Sequence, residues 1–267
     1  MLNWWRELSK RHRVRFWRGV SYVVFVLLVA AFAIAVDWAR VIDTMFRPDL
    51  VAEQFPDILL IAAKNTIIYT ILGFTGGLIL GLILALMRLS QSAPFRWASA
   101  VYIDVVRGIP LLVWILLIGL GLPIALRIRV PTTYGAGALA LSLVMAAYMA
   151  ETIRAGIEAV DRGQMEAARS LGMSHSKAMV WIILPQAFRL MIPPLTNEFI
   201  LLLKDTSLVS VIGVTITTKE LTRWGRDGVI NSANATPLVV AGLVYLALTI
   251  PMTRIVARVE KKAARSK

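Results

Sequence analysis

Residues 65–87 read NTIIYTILGFTGGLILGLILALM, a run without a single charged side chain. A helix needs about 20 mostly apolar residues to cross the hydrocarbon core of a bilayer, so this run predicts a transmembrane helix. Gly73, Gly77 and Gly81 follow one another at intervals of four. Small residues on one helix stripe let two backbones approach closely in lipid. We expect this stripe to serve packing, within the chain or against a second subunit.

Further apolar runs lie on both sides of this stretch, at residues 19–36, 108–126, 130–150, 190–218 and 228–253. The run at 190–218 is interrupted by Glu198, Lys204 and Asp205. Together these runs predict an all-α, polytopic membrane protein with six transmembrane helices. Ala33-Ile34-Ala35 resembles a signal-peptide cleavage site, but the long basic region before the first run favours a helix that is retained.

Composition supports a membrane protein and excludes several kinds of site. The 267 residues are 58% hydrophobic and 17% charged, with a net charge of +13. An ordinary soluble domain is about 45–50% apolar. The chain has no cysteine and only two histidines, His12 and His175. We therefore expect no disulfide, no thiolate or histidine metal site and no cysteine nucleophile.

Basic residues are unevenly distributed between the runs, and this predicts the orientation. The basic-rich segments are 1–18, 88–107, 151–189 and 254–267. The segments predicted to lie outside are 37–64, 127–129 and 219–227, the first of which is rich in acids. Cytoplasmic loops collect Lys and Arg, so both termini are predicted to be cytoplasmic. Membrane flanks explain the basic ends, and nucleic acid is not an expected partner.

The longest inner loop contains EAARSLGMS at residues 166–174, with Ile183-Leu184-Pro185 farther on. Its first residues are good helix formers, and Gly172 is suited to the left-handed conformation that ends a helix. Ser174 is suited to cap a second helix, which Pro185 should end or kink. An ordinary connector would satisfy this pattern too. The small alanine pair flanked by Glu166 and Arg169 instead favours a helix that docks into a groove of another protein.

This loop resembles the EAA loop of permease subunits of bacterial ATP-binding-cassette (ABC) importers. Other elements resemble the polar amino acid branch of that family: RGIPLL at 107–112, AYMAETIRAGI at 147–157 and LLLKDTSL at 201–208. The resemblance begins at about residue 65 and continues to the end of the sequence. It divides the chain into residues 1–64, a basic tail, first helix and outer loop, and residues 65–267, a permease domain with a coupling loop at about 155–187.

The resemblance implies a function and a set of partners. The chain would be the permease of an ATP-driven, binding-protein-dependent importer in the bacterial cytoplasmic (inner) membrane. Its partners would be two ABC ATPase subunits, a second permease copy or a sister permease, an extracytoplasmic binding protein, the lipid bilayer and a polar amino acid. It would hold no cofactor, because ATP and Mg would be bound by the ATPase, and no phosphate-loop motif occurs in the sequence. The residues implied to couple to the ATPase are Glu166, Ala167, Ala168, Arg169, Ser170, Leu171 and Gly172.

Polar groups within or beside the spans are candidates for the substrate path, since charge in a membrane is costly and is often functional. The candidates are Asn65, Arg107, Gly108, Pro110, Tyr148, Glu151, Asn197 and Glu198.

Each candidate also has a structural interpretation. Glu198 could instead pair with Lys204 or Arg189, and Lys204 and Asp205 could neutralise each other. Arg107 could pair with Asp104, and Glu151 could pair with Arg154 three residues on. Gly108 and Pro110 could break a helix to expose backbone groups, or only kink it near the surface. Thr66 is expected to cap the second helix.

Three other functions fit less well. An ABC permease for another small polar solute would lack the amino acid elements. A self-contained ion-coupled transporter would transport without ATP and would need no exposed loop helix. A membrane-embedded enzyme is disfavoured, since the chain has no nucleophile motif or paired histidines. The sequence leaves open which amino acid is carried and whether the permease pairs with itself or with a sister.

Overall fold

The computed structural model describes residues 10–127 and 134–265. The first nine residues of the basic tail, with Arg6, lie outside the described part, as do the loop at 128–133 and the last two residues. The side chains of His12, Arg13 and residues 259–265 are also outside it. The described residues divide into two compact units, which separate between Arg47 and Pro48.

The first unit contains α1 and α2. Helix α1 comprises Lys10–Ala35 and α2 comprises Trp38–Met45. The apolar side chains of α1 are exposed along its length, and its segment Val14–Ala35 is long and apolar enough to cross a membrane.

The regular elements of the second unit are all helices within its described residues. Its elements are α3 (Pro48–Gln54), α4 (Lys64–Leu89, preceded by a π-helical turn at Ile58–Ala63), α5 (Ala93–Gly108), α6 (Leu111–Leu126), α7 (Gly135–Glu158), α8 (Arg162–Ser170), α9 (Leu184–Asp205), α10 (Leu221–Ser232) and α11 (Thr236–Arg265). Helix α9 is continuous with short helical turns on both sides, so one helical segment extends over His175–Val211.

The described residues contain five helices that are long and apolar enough to span a membrane, or six if a bent pair is counted as one span. The all-α polytopic fold predicted from the sequence is therefore confirmed. The bent pair is α5 and α6, which meet at 101°. The break falls at Ile109 and Pro110, since Ile109 is extended and Pro110 caps α6. The sequence had left open whether Gly108 and Pro110 break the helix or only kink it.

Three predicted boundaries were wrong. The run at 228–253 is not one helix, because α10 ends at Ser232 and Ala233 adopts a left-handed conformation with φ of 49°. The run at 190–218 is helical only as far as Val211, and its helix begins earlier, at His175. Pro185 does not end a helix, because it lies inside the continuous segment His175–Val211, directly after a π-helical turn at Met179–Ile183.

The glycine stripe of α4 packs against α7 within the chain. A Cβ at Gly73, Gly77 or Gly81 would lie 2.9, 2.6 or 2.8 Å from the Cβ of the facing residue of α7. Contacts this short exclude any side chain, so the two helix backbones touch along the stripe. The two helices form the centre of the second unit: α5, α6 and α9 pack against them, and α11 packs against α9 and α10.

Candidate functional site

The loop predicted to dock on another protein does contain a separate short helix, α8. The carboxylate of Asp161 accepts a hydrogen bond of 2.7 Å from the amide of Gly163 and caps its first turn. Gly172 ends the helix with φ of +85°, the left-handed conformation expected there. Ser174 then caps the next turn by accepting a hydrogen bond from the amide of Lys177, as predicted. Glycine and caps therefore fix both ends of α8.

The alanine pair of this loop is divided between two faces of α8. Ala168 is buried against the permease itself, whereas Ala167 and Glu166 are exposed. The Leu171 side chain is 85% exposed beside Gly172. Arg169 donates a hydrogen bond of 3.1 Å to the carbonyl of Met173. The exposed face of α8 thus has a small side chain, Ala167, at its centre. Charged side chains lie at its edges, and the apolar Leu171 follows its C-terminal end.

The opposite face of α8 rests on the spans. Met165 packs against a cluster of buried residues that includes Ile157 of α7 and Met191 of α9. The side-chain amide of Gln186 donates to the side-chain oxygen of Gln164 at 3.3 Å. A force applied to α8 therefore reaches α7 and α9 through packed side chains.

A cavity of about 230 Å³ lies between the spans. Its polar lining comes from Tyr148, Glu198 and Asp205, and the rest of its wall is apolar: Leu111, Leu141, Val144, Met145, Leu201 and Leu202. Ligand pockets for drug-sized molecules measure about 300–1,000 Å³, so this cavity fits a smaller solute. From the sequence, Asp205 was expected to be structural, because it could be neutralised by the adjacent Lys204. It was therefore not among the candidates, although it lines the cavity.

Arg107 does not line the cavity itself but contacts Tyr148, which does. Its guanidinium carbon lies 5.3 Å from the centre of the Tyr148 ring, which is within cation–π range. The Asp104–Arg107 pair considered from the sequence is not among the ion pairs of the described residues. Glu198 likewise makes no ion pair with Lys204 or Arg189 in the described part of the chain.

The remaining candidates do not line this cavity. Glu151 pairs with Arg154 at 2.7 Å, and Arg154 also bonds Glu158. Asn197 is exposed on α9 and does not line the cavity. Gly108 and Pro110 form the break between α5 and α6 and are also exposed.

Asn65 and Thr66 belong to a buried polar network at the N-terminal end of α4. The Asn65 amide donates to the carbonyls of Thr217 and Lys219 at 2.8 and 3.0 Å, and its oxygen accepts from the Tyr134 hydroxyl at 2.7 Å. Thr66 was expected to cap α4, and this was wrong, because helical turns already precede it. Its hydroxyl accepts a hydrogen bond from the amide of Leu221 at 3.2 Å and so ties α4 to α10.

Glu220 completes this network and was missed from the sequence. It is fully buried and caps α10 by accepting hydrogen bonds from the amides of Thr222 and Arg223 at 2.6 and 2.7 Å. The Tyr245 hydroxyl of α11 also donates to it. Burial raises the pKa of Glu220 to about 7, although these donors oppose the shift. An acid before a helix is a weak signal in sequence, because exposed caps look the same.

Spans packed around a partly polar cavity, with a helix exposed on one loop, are an arrangement suited to the membrane subunit of a transporter. A family model described as binding-protein-dependent transport system inner membrane component matches residues 77–265. The chain belongs to this family.

Relatives of known function are permease proteins. The arginine transport system permease protein ArtQ of Bacillus subtilis is 40% identical over 186 residues, which cover 70% of this chain and 83% of that protein. The L-cystine transport system permease protein TcyB of the same organism is 45% identical over 174 residues, 65% of this chain and 74% of that protein. The crystal structure of an amino acid ABC transporter with histidines is similar with a TM-score of 0.73 and 38% identity, over 79% of this chain and 96% of that chain. The protein is thus a permease of the ABC transporter class in the inner membrane.

Proposed function

We propose that the chain is the permease subunit of an importer that carries a polar amino acid into the cell and is driven by ATP hydrolysis in a separate subunit. The observation that carries this proposal is the exposed face of α8, which is fixed at both ends and rests on two spans. A loop that only connected two spans would not need a helix that is capped at both ends and packed against them. The printed names of the relatives, for arginine and L-cystine transport, support an amino acid as cargo.

The coupling function is assigned to residues 166–172. Ala167 at the centre of the exposed face lets a partner surface approach, and Leu171 offers it an apolar side chain. Glu166 and Arg169 flank this contact. ATP and Mg would be bound by the ATPase, which closes on nucleotide and moves α8, and α8 moves α7 and α9 through Met165.

The substrate path is assigned to the cavity between α6, α7 and α9. Glu198 and Asp205 are two carboxyl groups on one wall, a pattern that favours the ammonium group found in every amino acid. Tyr148 and Arg107 lie on the other side, where a carboxylate would be favoured. Gly108 and Pro110 contribute to this path by forming the break at which α6 begins. Asn65 and Glu151 act in this proposal as structural partners, because hydrogen bonds and an ion pair satisfy their side chains.

The assembly would contain a second permease copy or a sister permease, two ATPase subunits and an extracytoplasmic binding protein. Both termini and α8 would be cytoplasmic, because most of the Lys and Arg lie in the segments predicted to be inside, 1–18, 88–107, 151–189 and 254–267. Asn65 and Glu220 would then lie at the outer face, where the binding protein delivers its cargo.

The coupling proposal is tested with Ala167→Trp and Ala168→Trp. Ala167 is exposed, so tryptophan there should leave the permease folded and lower co-purification of the ATPase by at least about tenfold, a change of about 1.4 kcal/mol. Ala168 is buried, so tryptophan there should lower the yield of folded permease instead. Gln91→Trp, on another exposed loop predicted to lie on the same side, is the matched control. Full ATPase binding by Ala167→Trp would refute the coupling assignment.

The energy source is tested separately in vesicles. Uptake of a radiolabelled amino acid should require both the binding protein and hydrolysable ATP. Uptake that persists without ATP and collapses with the ion gradient would instead establish a self-contained ion-coupled transporter.

A further inference from the structure

Helix α2 is amphipathic over its whole length of eight residues. Successive residues of an α-helix are separated by about 100°, which places Trp38, Val41, Ile42 and Met45 within one sector. The remaining residues, Ala39, Arg40, Asp43 and Thr44, occupy the opposite side. The apolar side is not covered within the first unit, since Trp38, Ile42 and Met45 are 48%, 57% and 42% exposed.

The end of α1 determines where this apolar side lies. Val14–Ala35 is long and apolar enough to cross a membrane, and α2 begins only three residues after it ends. Helix α2 must therefore begin at the membrane surface that α1 reaches with its C-terminal end.

The turn between the two helices is fixed by specific contacts. The carboxylate of Asp37 accepts a hydrogen bond of 3.1 Å from the amide of Arg40 and caps α2. The indole of Trp38 donates a hydrogen bond of 2.6 Å to the carbonyl of Ala33 in the last turn of α1. The Phe32 and Trp38 rings also meet edge to face, with centroids 6.3 Å apart. The chain therefore turns at the surface instead of projecting into solvent as a longer helix.

We propose that α2 is an interfacial helix whose partner is the lipid surface. It lies at the headgroup level of the leaflet where α1 ends, with Trp38, Ile42 and Met45 facing the acyl chains and Arg40, Asp43 and Thr44 facing water. Tryptophan is enriched at this depth because its ring is apolar and its N–H is polar. Amphipathic helices bind in this orientation by burying the apolar face in the boundary between headgroups and acyl chains. Helix α2 thus sets the depth of the first span in the bilayer.

The absence of cysteine from the sequence makes a direct test possible. Ile42→Cys and Thr44→Cys are each the only thiol in the chain, and they face opposite sides of α2. Each variant is labelled with a nitroxide and reconstituted as the full chain into phospholipid vesicles. Collision rates are measured with oxygen, which concentrates in lipid, and with a nickel chelate, which stays in water. Val24→Cys within α1 is the control for deep lipid, and intact mass confirms that α1 is retained.

The expected result is a clear difference between the two faces. The label at position 42 should collide with oxygen several-fold more often than with the nickel chelate, and the label at position 44 should show the reverse. Equal access of the chelate to both positions would overturn the proposal, because α2 would then lie in water. Low access of both reagents to position 42 would also overturn it, because the apolar face would then be covered by protein. Repeating the measurement with the ATPase and binding protein present tests whether assembly changes the result.

Discussion

The Tyr245 hydroxyl donates a hydrogen bond of 2.9 Å to the Glu220 carboxylate, which joins the last span to the N-terminus of α10. The same carboxylate accepts hydrogen bonds from two backbone amides of α10. A hydrogen bond to a charged acceptor is about twice as strong as one between neutral groups. One buried carboxyl group therefore joins the N-terminus of α10 to α11, and its protonation state affects both contacts.

The stability of the protein should depend on pH through Glu220. Its pKa is raised by burial from 4.5 to about 7, so the folded state binds more protons than the unfolded state between these two values. The free energy of unfolding therefore falls as pH rises from 4.5 to 7 and levels off above that range. Thermal unfolding of the purified permease across this range measures the slope. Glu220→Gln does not titrate, so its slope should be smaller than that of the wild type, and an unchanged slope would contradict the assignment.

Replacing Asn65 with aspartate should harm the protein more than replacing it with alanine. The Asn65 amide is buried and donates to two carbonyl oxygens, and aspartate would place a negative oxygen against them. Leaving buried acceptors unpaired costs about 1–3 kcal/mol per group, and an added buried charge raises this further. The amounts of folded protein in detergent, measured by size-exclusion chromatography, should rank wild type, Asn65→Ala and Asn65→Asp in decreasing order. A folded and active Asn65→Asp variant would show that this network is dispensable.

Gly77→Ala should destabilise the pairing of α4 with α7. Its methyl group would lie 2.6 Å from the Cβ of Met145, so the helices would have to separate. Overpacking of this kind typically costs about 1–3 kcal/mol. Gly242→Ala is the matched control, because a Cβ there meets nothing within 4 Å. The control should be neutral or stabilising by up to about 1 kcal/mol, since alanine is the better helix former. Equal melting temperatures for the two variants would refute close packing at the stripe.

Glu198→Gln and Asp205→Asn should each lower amino acid uptake while leaving the assembled complex intact. Both side chains line the cavity, and each substitution removes a charge with little change in volume. Glu158→Gln is the control, since Glu158 is exposed at the end of α7 and such ion pairs contribute only about 0–1 kcal/mol. Uptake and co-purification are measured on the same preparations. Loss of the complex would assign the acids to structure, and unchanged uptake would remove them from the path.

Features that depend on neighbouring residues were predictable from the sequence. The apolar runs predicted most of the spans, because length and hydropathy alone decide whether a helix can cross a bilayer. The left-handed turn at Gly172 follows from backbone sterics, which do not depend on distant contacts. At Pro110 the same sterics predicted an irregularity but did not decide between a kink and a break. The packing role of Gly77 followed from the spacing of the stripe, although its partner on α7 did not.

Features that depend on distant partners were not predictable. Thr66 looked like a cap because it stands near the start of an apolar run, yet it binds Leu221, 155 positions away. The two helices at 228–253 looked like one because hydropathy does not register the left-handed residue at Ala233. The alanines at 167 and 168 are identical in sequence, and only tertiary packing buries one and exposes the other.

The helical segment His175–Val211 has a mechanical consequence. At about 1.5 Å per residue its path is roughly 55 Å long, nearly twice the thickness of the hydrocarbon core. Pro193 and Pro194 lie inside it and cannot donate amide hydrogen bonds to the preceding turn, which favours bending at this point. Glu198 is about one turn beyond. Flexing there would act beside the cavity, so that a small tilt of the end nearest His175 widens or narrows it.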